Sequence, residues 1–324
     1  MITKSRFIPA PWCRGAHAQT LLPRIISPRF PLDLLDERLE LPDGDFVDLC
    51  WTNTPEDGDP VIAIFHGLEG SVHSPYANGI LHAIGQRGWC GVFMHFRGCS
   101  GVHNRLNRSY HSGETGDIRF LIKTLSRRLP RSPLFTIGYS LGGNALLKYL
   151  GESGSGSGVT AAVTVSVPFL LNRGADRLDS GFSRFYQWYL IRSLHRKMQA
   201  KYNGREAPVN MDDLKSYRNF WTFDHHITAP VHGFASAEDY YRRSSSRQFL
   251  KSIQSPTLLI QSKDDPFLPQ DALPAATELS ESILLELSEH GGHVGFIAGN
   301  NPLRPRFWLL QRIPDFIAEN IRPR

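Results

Sequence analysis

Four short, largely apolar runs, alternating with stretches of helical spacing, constrain this chain more than any other feature. Val61–Phe65 contains no polar side chain, as a strand covered on both faces requires. Residues 90–96, 134–139 and 160–167 read the same way, and residues 74–87, 114–129 and 141–150 carry helical periodicity between them. The βαβαβαβ order predicts an α/β fold with a mostly parallel, doubly wound sheet and right-handed crossovers. Ahead of it, residues 37–41 and 46–51 alternate around Pro42-Asp43-Gly44-Asp45, which predicts a hairpin. Residues 1–35 are Pro-rich and read as irregular, and residues 151–158 read as a flexible loop.

The alternation stops near residue 169. Strand-like runs resume at 256–261 and 282–287, and a last helix is expected over 305–320. A single core rarely grows past about 250–300 residues. The 324 residues therefore fit one domain over 1–324 whose core, about 36–168 and 251–324, is interrupted by a helical cap or lid over about 169–250.

The four cysteines, Cys13, Cys50, Cys90 and Cys99, have no C-x-x-C spacing, which disfavours a zinc ribbon or a disulfide framework. The first residues lack the apolar core of a signal peptide, and no stretch reaches the roughly 18 apolar residues of a membrane span. A cytoplasmic protein with reduced thiols is the expectation.

Gly138-Tyr139-Ser140-Leu141-Gly142-Gly143 follows a predicted strand and opens a predicted helix, the context of a G-x-S-x-G nucleophile elbow. There is no G-x-G-x-x-G run and no phosphate-binding G-x-x-x-x-G-K-[ST] run. A serine needs a base to be nucleophilic near neutral pH. In this topology the acid follows a late strand and the histidine follows the last one. Asp265 has a better phase than Asp264, and His293, beyond Gly291-Gly292, is preferred to His290. A zinc reading of the two histidines lacks the remaining ligands. The N–H of Leu141 and that of Leu68, in His66-Gly67-Leu68-Glu69-Gly70, are the expected oxyanion donors. His66 and Tyr139 are pocket candidates beside them. Arg97, after the second strand, is expected to hold Asp117 or Glu114 rather than contact substrate.

With these residues in place the chain resembles the α/β-hydrolases, and more narrowly the YheT-like esterases. The resemblance rests on Ala16-His17-Ala18-Gln19-Thr20, His66–Ser71, Phe96–Gly101, Tyr110–Asp117, Gly138–Asn144, Asp264–Phe267 and Gly291–Phe296, which together span nearly the whole chain. It implies a Ser140, Asp265, His293 triad and carboxylic-ester substrates, some of them lipids, with no cofactor or metal. Cys13 stands where an aromatic residue is expected.

The chain's net charge of +5 has a location. Between Leu171 and Arg218 ten basic residues face five acidic ones, so this window alone carries the excess. Phe182, Phe185, Tyr186 and Tyr189 lie there at helical spacing. Phe182, Tyr186 and Tyr189 are therefore expected to roof an acyl pocket, with the cations outward and available to a membrane surface. No nucleic-acid module is present, so nucleic acid is not an expected partner; the oligomeric state is open. The leading expectation is a serine carboxylic-ester hydrolase. Acyl transfer to an alcohol by the same triad, and a non-catalytic binding protein on this fold, are the alternatives.

Overall fold

The computed structural model describes residues 1–321; the last three residues of the expected 251–324 core segment lie outside them. β1 (Ile2–Lys4), α1 (Ala16–Leu21) and α2 (Pro23–Ile26) precede the hairpin β2 (Leu35–Glu40) and β3 (Phe46–Trp51). Then β4 (Val61–Phe65), α3 (Pro75–Gly85), β5 (Cys90–His95), α4 (Gly116–Arg128), β6 (Leu134–Tyr139), α5 (Leu141–Ser153) and β7 (Ala161–Val165) alternate. The helices α6 (Leu171–Leu178), α7 (Ser183–Lys201), α8 (Phe220–Phe223), α9 (Ala229–Val231) and α10 (Ala237–Ser244) follow, with a π-helical turn at Asp224–Thr228. β8 (Thr257–Ser262), β9 (Ile283–Ser288) and α11 (Leu309–Glu319) close the chain.

Among the described residues nine strands form one sheet in the order β1-β9-β8-β7-β6-β4-β5-β3-β2. It is parallel except where β3 pairs with β2 and β5. The side-chain period of two explains why apolar runs make its centre. Val61, Ala63 and Phe65 of β4 enter one core layer, whereas Ile62 and Ile64 enter the other. Both faces are covered, so a polar side chain on either would be stranded.

Two expectations need correction. The first 35 residues are not irregular: β1 pairs in parallel with β9, and α1 and α2 fold back beside the β9–α11 segment. A three-residue edge strand after Met1 is too short to give a periodic signal, and its partner lies more than 280 residues away. The 151–158 stretch is also more ordered than its glycines suggest. α5 runs through it to Ser153, because Gly151 packs on Phe249 where a Cβ would come within 2.4 Å of the Phe249 carbonyl oxygen.

Arg97 is a tie within the core. Its guanidinium donates to both carboxylate oxygens of Asp117, at 2.8 and 2.7 Å, and to Asp43 and Asp45 at 2.8 and 3.0 Å. Burial opposes its charge, but the bond to Asp117 and the neighbouring carboxylates raise its pKa above the usual arginine value. Glu114 pairs with Arg108 instead.

The segment between β7 and β8 builds its own small cores, one around Ile191, Met198, Leu214 and Phe223 and another around Leu171, Ala175 and Tyr241. Asn144 of α5 ties it to the sheet. It is fully buried, donates to the carbonyls of Ser112 and Ser244 at 2.8 Å each, and accepts from the Ser246 N–H at 2.9 Å.

Candidate active site

Ser140 occupies the bend between β6 and α5 at φ 51°, ψ −117°. A non-glycine residue at positive φ costs on the order of 1–3 kcal/mol and persists only where the surroundings enforce it. Two glycines do so here. A Cβ on Gly138 would lie 2.6 Å from the Gly143 Cα, and one on Gly142 would lie 2.5 Å from the carbonyl oxygens of Phe65 and His66. The strand, the bend and the helix can close on one another only without those side chains.

Three residues remote in sequence meet at this bend. Ser140 Oγ lies 3.0 Å from His293 Nε2. His293 Nδ1 lies 2.9 and 3.1 Å from the two oxygens of Asp265, which is 3% exposed. With the buried carboxylate on Nδ1, the neutral ring carries its proton there and turns a free lone pair to the serine. Phe267 lies flat on the imidazole, with centroids 3.9 Å apart and planes at 2°. The runners-up pair with each other: His290 Nδ1 meets Asp264 at 3.3 Å, and the other oxygen of Asp264 accepts the Gly292 N–H at 2.9 Å. His290 is exposed, and the histidine hydrogen-bonded to Ser140 is His293.

The backbone donors beside Ser140 are distributed unevenly. In the loop after β4, the Gly67 N–H donates to Tyr76, that of Glu69 to Tyr110, and that of Gly70 to the Gly67 carbonyl. The Leu68 N–H has no acceptor among the described residues, nor has that of Leu141 at the first turn of α5. Both belong to residues lining the same space as Ser140. The Leu141 donor, at the N-terminus of α5, favours an anion there.

His66, expected in the pocket, lines neither cavity at Ser140. It is fully buried, accepts the Phe96 N–H at Nε2 (3.0 Å), and therefore donates from Nδ1 to the Gly67 carbonyl at 2.6 Å. Burial drops its pKa to about 3, so it stays neutral and fixes the Leu68 loop. Tyr139 does line a cavity, stacked on Tyr76 at 4.2 Å, and its hydroxyl has no partner among the described residues.

Two cavities meet at Ser140, Leu68, Phe267 and His293. The smaller, about 160 Å³, runs beneath the helical insertion between Leu171, Ala175, Leu178, Met198, Phe223 and Ile227. Asp224 forms part of its wall, accepting from Thr228 and Tyr241 at 2.6 and 2.7 Å, and burial pushes its pKa up to about 6. The larger, about 570 Å³, lies between α7 and the segment of α1 and α2, reaching Tyr139, Tyr186, Tyr189 and Arg24. The expected aromatic roof is thus only partly there. Tyr186 is buried on this cavity, with its hydroxyl 2.9 Å from His17 Nδ1. Phe182 is 53% exposed and lines neither cavity. The inward stripe of α7 is Leu190, Leu194, Lys197 and Met198, one helical phase away from the aromatics.

Several contributors escaped the sequence reading. Thr20 Oγ1 accepts the His293 N–H at 2.9 Å, and Ser166 Oγ accepts that of Val294 at 2.9 Å. Gln19, fully buried, donates to the carbonyls of Cys13 and Ile297 and accepts the Ile297 N–H. Lys197 of α7 reaches Glu69, next to the Leu68 donor, at 2.8 Å. The Ala16–Thr20 segment was visible as a motif, but that it clamps the histidine loop was not.

The sequence profile of the alpha/beta hydrolase fold family matches residues 60–299. "Putative esterase YheT" of Escherichia coli strain K12 is 46% identical over 98% of this chain and 94% of its own length. The monoacylglycerol lipase of Saccharomyces cerevisiae is 32% identical over 81% of this chain, which spans 60% of the yeast protein. Among solved structures, the Pyrococcus furiosus esterase Pf2001 shares the fold with a TM-score of 0.56 at 15% identity, covering 90% of this chain and 98% of that one.

Proposed function

Since the chain belongs to the α/β-hydrolase fold family, in its YheT-like group, we propose that it is a serine carboxylic-ester hydrolase that works through a Ser140–His293–Asp265 triad. One observation carries the reading: the unbroken hydrogen-bond chain from Asp265 through His293 to Ser140, beside two unengaged N–H groups. The esterase and lipase names of its relatives support the choice of an ester as substrate.

In this mechanism Ser140 Oγ attacks the ester carbonyl while His293 Nε2 takes its proton. Asp265 stabilises the imidazolium, and the N–H groups of Leu68 and Leu141 hold the oxyanion. His293 then protonates the departing alcohol, and water attacks the acyl-enzyme by the reverse path. The acyl chain occupies the apolar cavity under the insertion, and the alcohol leaves through the larger one. That second cavity also gives an acceptor alcohol a way in while the acyl group stays in place, which favours acyl transfer as the second reading. Partitioning of products with added alcohol separates the two.

The direct test is labelling of the whole protein by a fluorophosphonate, read by mass spectrometry. One adduct on Ser140 and none in Ser140→Ala is expected. An adduct surviving in that variant would remove Ser140 from the mechanism. No adduct at all would favour a non-catalytic binding protein.

Thr20 offers a quieter test. Thr20→Val keeps the shape and loses the oxygen that holds the His293 backbone. Small misplacements of catalytic groups reduce rate more than binding. We expect kcat on a p-nitrophenyl ester to fall on the order of tenfold with KM unchanged. An unchanged kcat would mean that the histidine loop holds its place without the N-terminal segment.

A further inference from the structure

The aromatic stripe of α7 is largely turned to solvent. Phe182, Phe185, Trp188 and Tyr189 are 53, 46, 52 and 39% exposed. Four adjacent large apolar side chains on one exposed face call for a partner. The same face continues one and two turns on with Arg192 and Arg196, also exposed. α7 contains no acidic residue.

The surrounding charge is uncompensated. Arg184, Arg192 and Arg196 form no ion pair among the described residues, and neither does Arg24 of α2. Instead, the Arg24 guanidinium lies 4.5 Å above the Tyr189 ring, and that of Arg192 lies 5.5 Å above Trp188. By contrast, Lys197 and Lys201, counted with them in the sequence, point inward to Glu69 and to a ring of carbonyls. Arg184, Arg192 and Arg196 thus leave an outward positive charge on the helix that carries the aromatics. Ile25, 81% exposed, joins the patch from α2.

The patch also has a place relative to Ser140. The exposed residues that line the larger cavity, Arg24, Ile25, Phe185 and Tyr189, mark where it opens to solvent. An apolar rim studded with unpaired arginines, set around the entrance to a site, matches an anionic lipid–water interface. Aromatic rings sit at the headgroup level, and arginines pair with phosphates. We infer that this face of α7 and α2 docks the protein on anionic phospholipid membranes, so that the larger cavity opens onto the lipid surface. The cavity's use rests on the ester-hydrolase reading; the docking itself does not, and is measured without turnover.

The test is co-sedimentation of the whole protein with vesicles of phosphatidylcholine alone or mixed with phosphatidylglycerol. Binding to the mixed vesicles that weakens with salt is expected. Trp188→Ala, and separately the double reversal Arg192→Glu/Arg196→Glu, should each weaken it, the reversal on the order of tenfold. None of these three residues lines a cavity, so turnover of a soluble p-nitrophenyl ester should stay at the parent level in the variants. Equal binding by parent and reversal variant would overturn the inference, as would failure of the parent to bind the anionic vesicles. So would a dimer, seen by sedimentation velocity, that the reversal dissociates while vesicle binding is absent; the patch would then belong to a second copy of the chain.

Discussion

Ser140→Ala is expected to lower kcat for a p-nitrophenyl ester by about 10⁵–10⁶-fold, the scale on which triads of this type lose activity when nucleophile or base is removed. That loss corresponds to roughly 7–8 kcal/mol of barrier. His293→Ala should fall into the same range, and Asp265→Asn should cost about 10⁴-fold by misorienting the imidazole. The double variant Ser140→Ala/His293→Ala should be no worse than either single one, because the groups act as a unit. A residual rate above water is expected from the Leu68 and Leu141 donors and from substrate binding. Alanine at 140 keeps the Cβ and tolerates φ 51° as poorly as serine does, so the fold should be unaffected. Circular dichroism and a thermal melt would establish that. A variant retaining a tenth of parental kcat would show that the geometry at this bend is not the engine of turnover.

Arg97→Ala should produce the largest loss of stability. The guanidinium, 3% exposed, is shared by Asp117, Asp45 and Asp43. Removing it leaves carboxylates facing one another in the core. Breaking a buried ion pair from one side typically costs about 3–5 kcal/mol. Asp43 is partly exposed, which places the expected loss towards the lower end. Urea denaturation should record it, with Arg97→Lys intermediate because a lysine keeps the charge but not the fork. The pH dependence gives the sign. Burial already holds the folded-state pKa of Asp117 above the usual carboxylate value against the lowering pull of Arg97, so removing Arg97 raises it further. The variant then binds more protons folded than unfolded, and its deficit against the parent grows as pH rises through the raised value and shrinks in acid. Since Arg97 lines neither cavity, KM should not change while the protein is folded. A selective rise in KM with less than about 1 kcal/mol of destabilisation would point to substrate contact instead.

The alternating apolar runs and the glycine-flanked serine were legible because they are local. A strand covered on both faces must be apolar throughout, and a bend this tight excludes side chains at Gly138 and Gly142. Topological order then pointed to Asp265 and His293, which the structure brings to hydrogen-bond distance. The N-terminal segment was misread as irregular because its order comes from a distant partner. Gln19 gains its bonds only when the chain near residue 297 is alongside. The roof of aromatics is only partly present for another reason. Periodicity at 182, 185, 186 and 189 declares a helical face without saying which way it turns, and of the four only Tyr186 is buried, with Phe185 and Tyr189 at the rim of the larger cavity.

The sequence by itself therefore determined the α/β order of the chain, the strand–serine–helix bend and the pairing of residue types expected around it, because each follows from spacing and steric limits within a few residues. Tertiary structure alone decided that Arg97 ties Asp117 to Asp43 and Asp45 and leaves Glu114 to Arg108, that residues 13–20 clamp the histidine loop, and that Phe182, Phe185, Trp188 and Tyr189 are exposed. These depend on which surfaces meet across long loops. That choice is made by the packing of whole layers, and no local pattern encodes it.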